Sequence, residues 1–197
     1  MVDFWAIVLA AGESKRMGFP KMLLPFKGST MIETVIQNIS ESCVKNIIVV
    51  LGAESTKMLN VIGNMPVKYC LNEDYKDGML SSVKCGFRCL PSEYKAVLVF
   101  QGDQPLIKAG SINSLISAYL SSVNGLVIPV HNNKRGHPLL IDRKYRYEIE
   151  KLDPEKGLRS LAEKFSGDVL EVETNENGIL RDFDTYEEYL VEINKIL

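Results

Sequence analysis

Residues 7–21, IVLAAGESKRMGFPK, carry an apolar run into a glycine-punctuated loop that bears Lys15, Arg16 and Lys21. The run from Phe4 to Leu9 is β-branched and aromatic enough for a strand buried on both faces. Gly12 and Gly18 then let the backbone turn back on itself and come close to a ligand. Such a loop can point successive N–H groups at one anion, and its cations have the sign a polyphosphate requires. Arginine grips two oxygens at once, whereas lysine is a movable point charge. The competing reading is a surface turn with solvated cations. A fully apolar strand running straight into two glycines and three cations also describes a phosphate cradle.

Spacing excludes the common phosphate loops. Five residues separate Gly12 from Gly18, one too many for the Walker pattern, and Phe19-Pro20 follow where that pattern needs Lys and Ser or Thr. A dinucleotide fingerprint would place glycine at position 14, which is Ser14, and a serine-hydrolase elbow would place it at 16, which is Arg16.

With 197 residues and ordinary apolar and charged fractions, the chain is expected to form a single domain, 1–197. The formal net charge is −2, and basic residues cluster only in the first loop, which argues against a nucleic-acid partner. The N-terminal apolar run is short and lacks a basic flank, so neither a signal peptide nor a membrane span is expected, and the location expected is cytoplasmic. Cys43, Cys70, Cys85 and Cys89 contain no Cys-x-x-Cys pair. They are read as reduced, mostly buried thiols in preference to metal ligands, with Cys85 and Cys89 on one face of a helix.

Further along, Leu23 to Phe26 is short and extended, Lys27-Gly28 turns the chain, and Thr30 with Glu33 forms a capping box for a helix to about Ser40. Strands are expected at 47–51, ending at Gly52, at 67–71 and at 95–100, with helices over 54–62, 80–90 and 109–120. Residues 125–130 and 138–141, joined by a turn-rich connector, predict an antiparallel pair in an otherwise parallel sheet. Helices over 143–151 and 157–165, strands near 169–172 and 179–183, and a closing helix over 186–196 complete the pattern. In a doubly wound sheet the strands at 4–9 and 95–100 would flank the point where strand order reverses, which places Asp103 beside the first loop.

Asp103 is the first candidate ligand for magnesium, which takes oxygen donors, although a turn aspartate before Pro105 is the plain alternative. Asp182 and Asp184 alternate along an expected strand, so only one should reach the site; Asp184 could equally cap the last helix. Ser81 and Ser82 fall in a helix's first turn, as caps or as nucleotide contacts. His137 admits three roles: a packed hairpin residue, a proton shuttle, or a contact for an anionic acceptor. Arg135 and Arg159 are additional cations of that region.

The loop Leu9-Ala10-Ala11-Gly12-x-Ser14-x-Arg16-Met17-Gly18-x-x-Lys21 resembles the signature loop of the MobA-like NTP transferases, in particular the molybdenum cofactor cytidylyltransferase branch. Leu23-Leu24-Pro25-Phe26, Gly78-Met79-x-Ser81-Ser82, Gly102-Asp103-Gln104-Pro105, Gly136-His137-Pro138 and Asp182-Phe183-Asp184-Thr185 follow in that family's order. The resemblance implies a Rossmann-like three-layer α/β/α fold with a mostly parallel, mixed sheet of the nucleotide-diphospho-sugar transferase kind. It implies a Mg2+-dependent nucleotidyltransferase that moves CMP from CTP to a molybdopterin-type acceptor, with a molybdoenzyme as recipient of the product. On the same resemblance, Arg16, Lys21 and Asp103 are catalytic. Leu9, Ala10, Ala11, Gly12, Ser14, Lys15, Arg16, Gly18, Lys21, Gly52, Ser81 and Ser82 serve the nucleotide. Asp103 and Asp184 hold the metal, Asp184 being favoured over Asp182, and Gly136, His137 and Pro138 meet the acceptor. Ala11 stands where guanylyl-transferring relatives tend to carry glycine, which favours the smaller base of CTP. The alternatives are a sugar- or polyol-phosphate nucleotidyltransferase and a non-catalytic cofactor carrier or insertion protein.

Overall fold

In the computed structural model, which describes residues 3–196, the alternation of side chains along β1 (Phe4–Ala10) sets the layers. Ala6, Val8 and Ala10 enter one hydrophobic core, and Trp5, Ile7 and Leu9 enter the core on the opposite face. A strand apolar on both faces must be covered on both, and this produces the expected three layers. The expected span of 1–197 includes Met1, Val2 and Leu197, which lie outside the described residues.

After the first loop, β2 (Pro25–Phe26) and β3 (Ser29–Thr30) form a small hairpin closed by Lys27 and Gly28, both at positive φ. Thr30 then caps α1 (Met31–Ser40): its Oγ1 accepts from the Glu33 N–H at 3.3 Å, and Glu33 Oε2 accepts from the Thr30 N–H at 2.8 Å. A reciprocal cap of this kind contributes about 1 kcal/mol.

Next come β4 (Asn46–Leu51), α2 (Ser55–Ile62), β5 (Lys68–Leu71), α3 (Met79–Arg88), β6 (Ala96–Gln101) and α4 (Ala109–Leu120). The last part holds β7 (Leu126–His131), β8 (Lys134–Arg135), β9 (Leu139–Asp142), α5 (Arg146–Glu150), α6 (Arg159–Lys164), β10 (Val169–Glu173) and α7 (Tyr186–Ile196). The main sheet has the order β10-β7-β9-β6-β1-β4-β5, with β8 paired to β7. β9 runs antiparallel to both β6 and β7, while β1 is parallel to β4 and β6 on either side. The antiparallel insertion and the reversal of strand order at β1 and β6 both follow the sequence expectation.

The expected strand over 179–183 does not form. Asn177–Leu180 is a short 3-10 helix and Arg181 to Thr185 is irregular, touching the sheet region through one backbone bond, His137 N–H to Ile179 O at 2.9 Å. Turn chemistry in Asn175-Glu176-Asn177-Gly178 outweighs the apolar pattern of Ile179 and Phe183, whose side chains are nevertheless buried. The cysteines also depart from expectation: Cys43 and Cys89 are exposed, and Cys70 and Cys85 are half-buried. Cys70, Cys85 and Cys89 lie at the sheet's β5 edge and not in the central core, and Cys43 lies in the loop after α1, where its N–H donates to Asn113 Oδ1. No helix among the described residues is long and apolar enough to cross a membrane.

Candidate active site

β1 and β6 end side by side, and the loops that leave them enclose a cleft of about 450 Å3. In the first loop, Ser14 at positive φ presents its carbonyl to the N–H groups of Met17 and Gly18 at 3.0 and 3.2 Å. Its hydroxyl accepts from the Lys21 N–H at 3.3 Å, so Ser14 folds the loop as well as lining the cleft. Gly52 lies behind the loop: a Cβ there would stand 2.8 Å from both the Cβ and the O of Ala11. Glycine is required at 52 because a Cβ would collide with Ala11 and Tyr75, and Gly52 does not itself line the cleft.

Leu9, Ala11, Gly12, Ser14, Lys15, Arg16, Lys21, Ser82, Asp103 and Asp184 all line the cleft. Ala10, Gly18 and Ser81 do not: Ala10 is in the core, Gly18 takes the positive φ that closes the loop, and the Ser81 hydroxyl donates to Gly78 O at 2.8 Å. Asn72 donates to the hydroxyls of Ser81 and Ser82 at 2.8 and 3.0 Å and thereby fixes the start of α3. Sequence reasoning missed Tyr75, Gln101 and the lining role of Met79. Gln101 could have been found as the residue that β6 delivers just before Gly102-Asp103.

Opposite charges meet at the centre. Lys21 Nζ lies 2.5 Å from Asp103 Oδ2 and 3.3 Å from Asp184 Oδ1, and donates to Phe183 O at 3.0 Å. Arg16 grips Asp184 through two hydrogen bonds of 2.7 and 2.8 Å. The Lys21–Asp103 pair is nearly buried, whereas the Arg16 side chain is 71% exposed and its pair is screened by water.

Carboxylate oxygens of Asp103, Asp182 and Asp184 lie within 4.8 Å of one another. The expectation that only one of the last two aspartates reaches the site is therefore overturned: irregular backbone frees both from the strand's alternation. Desolvation, with repulsion from Asp103 and Asp184, pushes the Asp182 carboxyl above the usual aspartate range. Three carboxylates carry −3 against +2 from Lys21 and Arg16, leaving one unmatched negative charge at a cluster of hard oxygen donors. That donor set suits a divalent cation of the magnesium or manganese class.

A second cavity of about 690 Å3 shares Gln101 and Met79 with the first. Gly136 and His137 line it with Arg135, Lys156 and Arg159; Pro138 is buried and does not. The Gln101 amide meets His137 Nε2 at 2.9 Å, while Nδ1 is buried without a partner. Burial holds the imidazole below its ordinary pKa despite Asp103 and Asp182 nearby. His137 is therefore neutral near pH 7, and among the described residues no carboxylate hydrogen-bonds its ring to serve as a proton-relay partner.

The chain is 28% identical over 185 residues to molybdenum cofactor cytidylyltransferase of Escherichia coli K12, covering 93% of this chain and 92% of that one. It is 29% identical to nicotine blue oxidoreductase of Paenarthrobacter nicotinovorans over 69% of each chain. The fold matches the crystal structure of Rv0371c from Mycobacterium tuberculosis H37Rv with a TM-score of 0.87, at 21% identity and 98% coverage of both chains. A structure of that mycobacterial protein in complex with manganese matches with a TM-score of 0.82. The sheet order that brings Lys21 and Asp103 together agrees with a match of residues 6–169 to the MobA-like NTP transferase domain, and the chain belongs to that family of nucleotidyltransferases.

Proposed function

We propose that this protein transfers CMP from CTP to a molybdopterin-type acceptor, releasing pyrophosphate, with Mg2+ as its metal. The observation that carries the reading is a pair of adjoining cavities: one holds the carboxylate cluster with Lys21 and Arg16, the other is lined by Arg135, Lys156 and Arg159 together with Glu155 and Glu163, and Gln101 and Met79 stand between them. This arrangement suits two anionic substrates that react at a shared boundary.

In the reaction an acceptor phosphate oxygen forms a bond to the α-phosphorus of CTP, and the bond from that phosphorus to the bridging oxygen breaks. Pyrophosphate leaves with the electron pair. Such an acceptor oxygen is already ionised near neutral pH, so no general base is required, in keeping with a neutral, unrelayed His137. Loop amides from Gly12 to Arg16 with Lys15, Arg16 and Lys21 hold the triphosphate, while the Met17 and Gly18 amides close the loop on Ser14, and alignment of the two reactants supplies much of the rate. Asp103, Asp182 and Asp184 would hold Mg2+, which supplies charge neutralisation on the phosphoryl oxygens. Lys21 would let go of at least one carboxylate as the metal arrives and turn to the triphosphate. Gly136, His137 and Arg159 line the cavity assigned to the acceptor.

Ala11 lines the nucleotide cleft while its methyl group lies against Gly52, so it cannot retreat from a base. Shape discrimination of this kind gives roughly a ten- to two-hundredfold preference. The test is pyrophosphate release with Mg2+, a pterin-dithiolene phosphate acceptor and each nucleoside triphosphate in turn. CTP is expected to be used best and Ala11→Gly to gain activity with GTP. Equal or better use of GTP by the wild type refutes the cytidylyl assignment, and no release with any pair refutes catalysis in favour of a carrier.

A further inference from the structure

At the β5 edge of the sheet, three of the four cysteines converge although they come from two separate elements. Cys70 lies on β5, Cys85 on α3, and Cys89 at the C-cap of that helix. The three Sγ atoms fall within 4.8 Å of one another, and those of Cys70 and Cys85 are 3.6 Å apart. Cys43, the remaining cysteine, is not in the group.

From these positions we propose that Cys70, Cys85 and Cys89 form a three-thiolate site for a soft divalent cation of the zinc class. Two sulfurs on one tetrahedral zinc, at about 2.3 Å each, stand about 3.8 Å apart, so the Cys70–Cys85 separation already has the required scale. The four-residue spacing of Cys85 and Cys89 puts both on one helix face, the arrangement by which a helix offers two ligands to one ion. Thiolates select soft cations and discriminate against magnesium. The site is thus chemically separate from the oxygen cluster of Asp103, Asp182 and Asp184.

Cys89 is exposed, which leaves the cation open to solvent on one side, with a water or an external ligand to complete the shell. On binding, each thiol gives its proton to solvent, so one divalent ion exchanges for three protons and the site gains a net charge of −1. Mechanically the ion would clamp the edge strand β5 onto α3. It would add to two ties already present: the Cys85 thiol donates to Leu71 O at 3.5 Å, and Asn72, just past β5, holds the Ser81 and Ser82 hydroxyls.

Titration of the reduced full chain with Co2+ tests the proposal, because a thiolate-to-cobalt charge-transfer band arises only from sulfur ligands. One equivalent should bind with that band, Zn2+ should displace it, and Zn2+ should shield three of the four cysteines from alkylation. Cys85→Ser and Cys89→Ser should each weaken binding by on the order of a hundredfold or more. Cys43→Ser should change nothing. Cys89→Ser alters an exposed side chain, so it keeps the test open if Cys85→Ser fails to fold. Absence of the band overturns the site, as does a band that survives both substitutions. Formation of a Cys70–Cys85 disulfide in the presence of Zn2+ would also overturn it.

Discussion

In the cleft beside the first loop every cation already has a carboxylate: Lys21 has Asp103 and Asp184, Arg16 has Asp184, and Lys15 has Glu13. Across Gln101 the second cavity is different. Arg135 is paired with Glu171, but Lys156 and Arg159 form no ion pair among the described residues, and His137 Nδ1 is buried and unpartnered. An anion entering the first cavity would have to exchange partners with existing ion pairs, whereas one entering the second would meet cations without a partner among the described residues. On the function proposed here, substitutions in the first should be costly to chemistry and nucleotide binding. Substitutions in the second should act on the acceptor alone.

The sharpest break in that contrast would come at Asp103. Asp103→Asn keeps the shape and removes a charge, and should lower kcat by at least about a hundredfold without loss of fold by circular dichroism. Near-normal turnover at low magnesium would refute its place in the metal cluster. Lys21→Ala comes next, with nucleotide affinity weaker by about 1–3 kcal/mol in isothermal titration. A change confined to acceptor binding would reverse the roles given to the two cavities.

Arg159→Ala should be milder. We expect the acceptor KM to rise roughly fivefold, the scale of ~1 kcal/mol for a solvent-facing charge contact, with nucleotide affinity unchanged. If nucleotide affinity falls instead, the two cavities are one binding site. The smallest effect concerns His137, whose folded-state pKa is depressed by burial. As pH falls below 6.5 the unfolded chain takes up a proton that the folded imidazole resists, so this contribution to stability is present above 6.5 and lost progressively below it. Thermal midpoints measured from pH 8 to pH 5 should fall less steeply for His137→Gln than for the wild type.

Much of the nucleotide side could be read from sequence because its determinants are local. An apolar run from Phe4 to Leu9, two glycines and three cations stand together between Phe4 and Lys21, and the Thr30–Glu33 cap is complete within four residues. The antiparallel return of β9 was equally legible, since Asn132 and Asn133 tolerate the positive φ of a two-residue turn. The far wall was not. Ile179 and Phe183 are buried as a strand's residues would be, but a loop buries them, and without the strand's alternation Asp182 joins Asp184 in the cleft. The cysteine cluster depends on how β5 lies against α3, a relation that no spacing within either element records. Ser14 and Gly52 were expected as nucleotide contacts, and their work in shaping the loop is visible only once Lys21 and Ala11 are seen beside them.

The bond between Arg16 and Asp184 joins residues 168 positions apart, and Tyr189 ties back to Pro25 O at 2.6 Å. A ribosome delivers the chain from its N-terminus, so the cationic loop and Asp103 emerge well before the carboxylates that complete the cluster. During translation the nascent protein can assemble its sheet around β1 while Lys21 has only one of its two acidic partners. The carboxylate cluster is completed only by Asp182 and Asp184, which follow every strand of the main sheet in the chain.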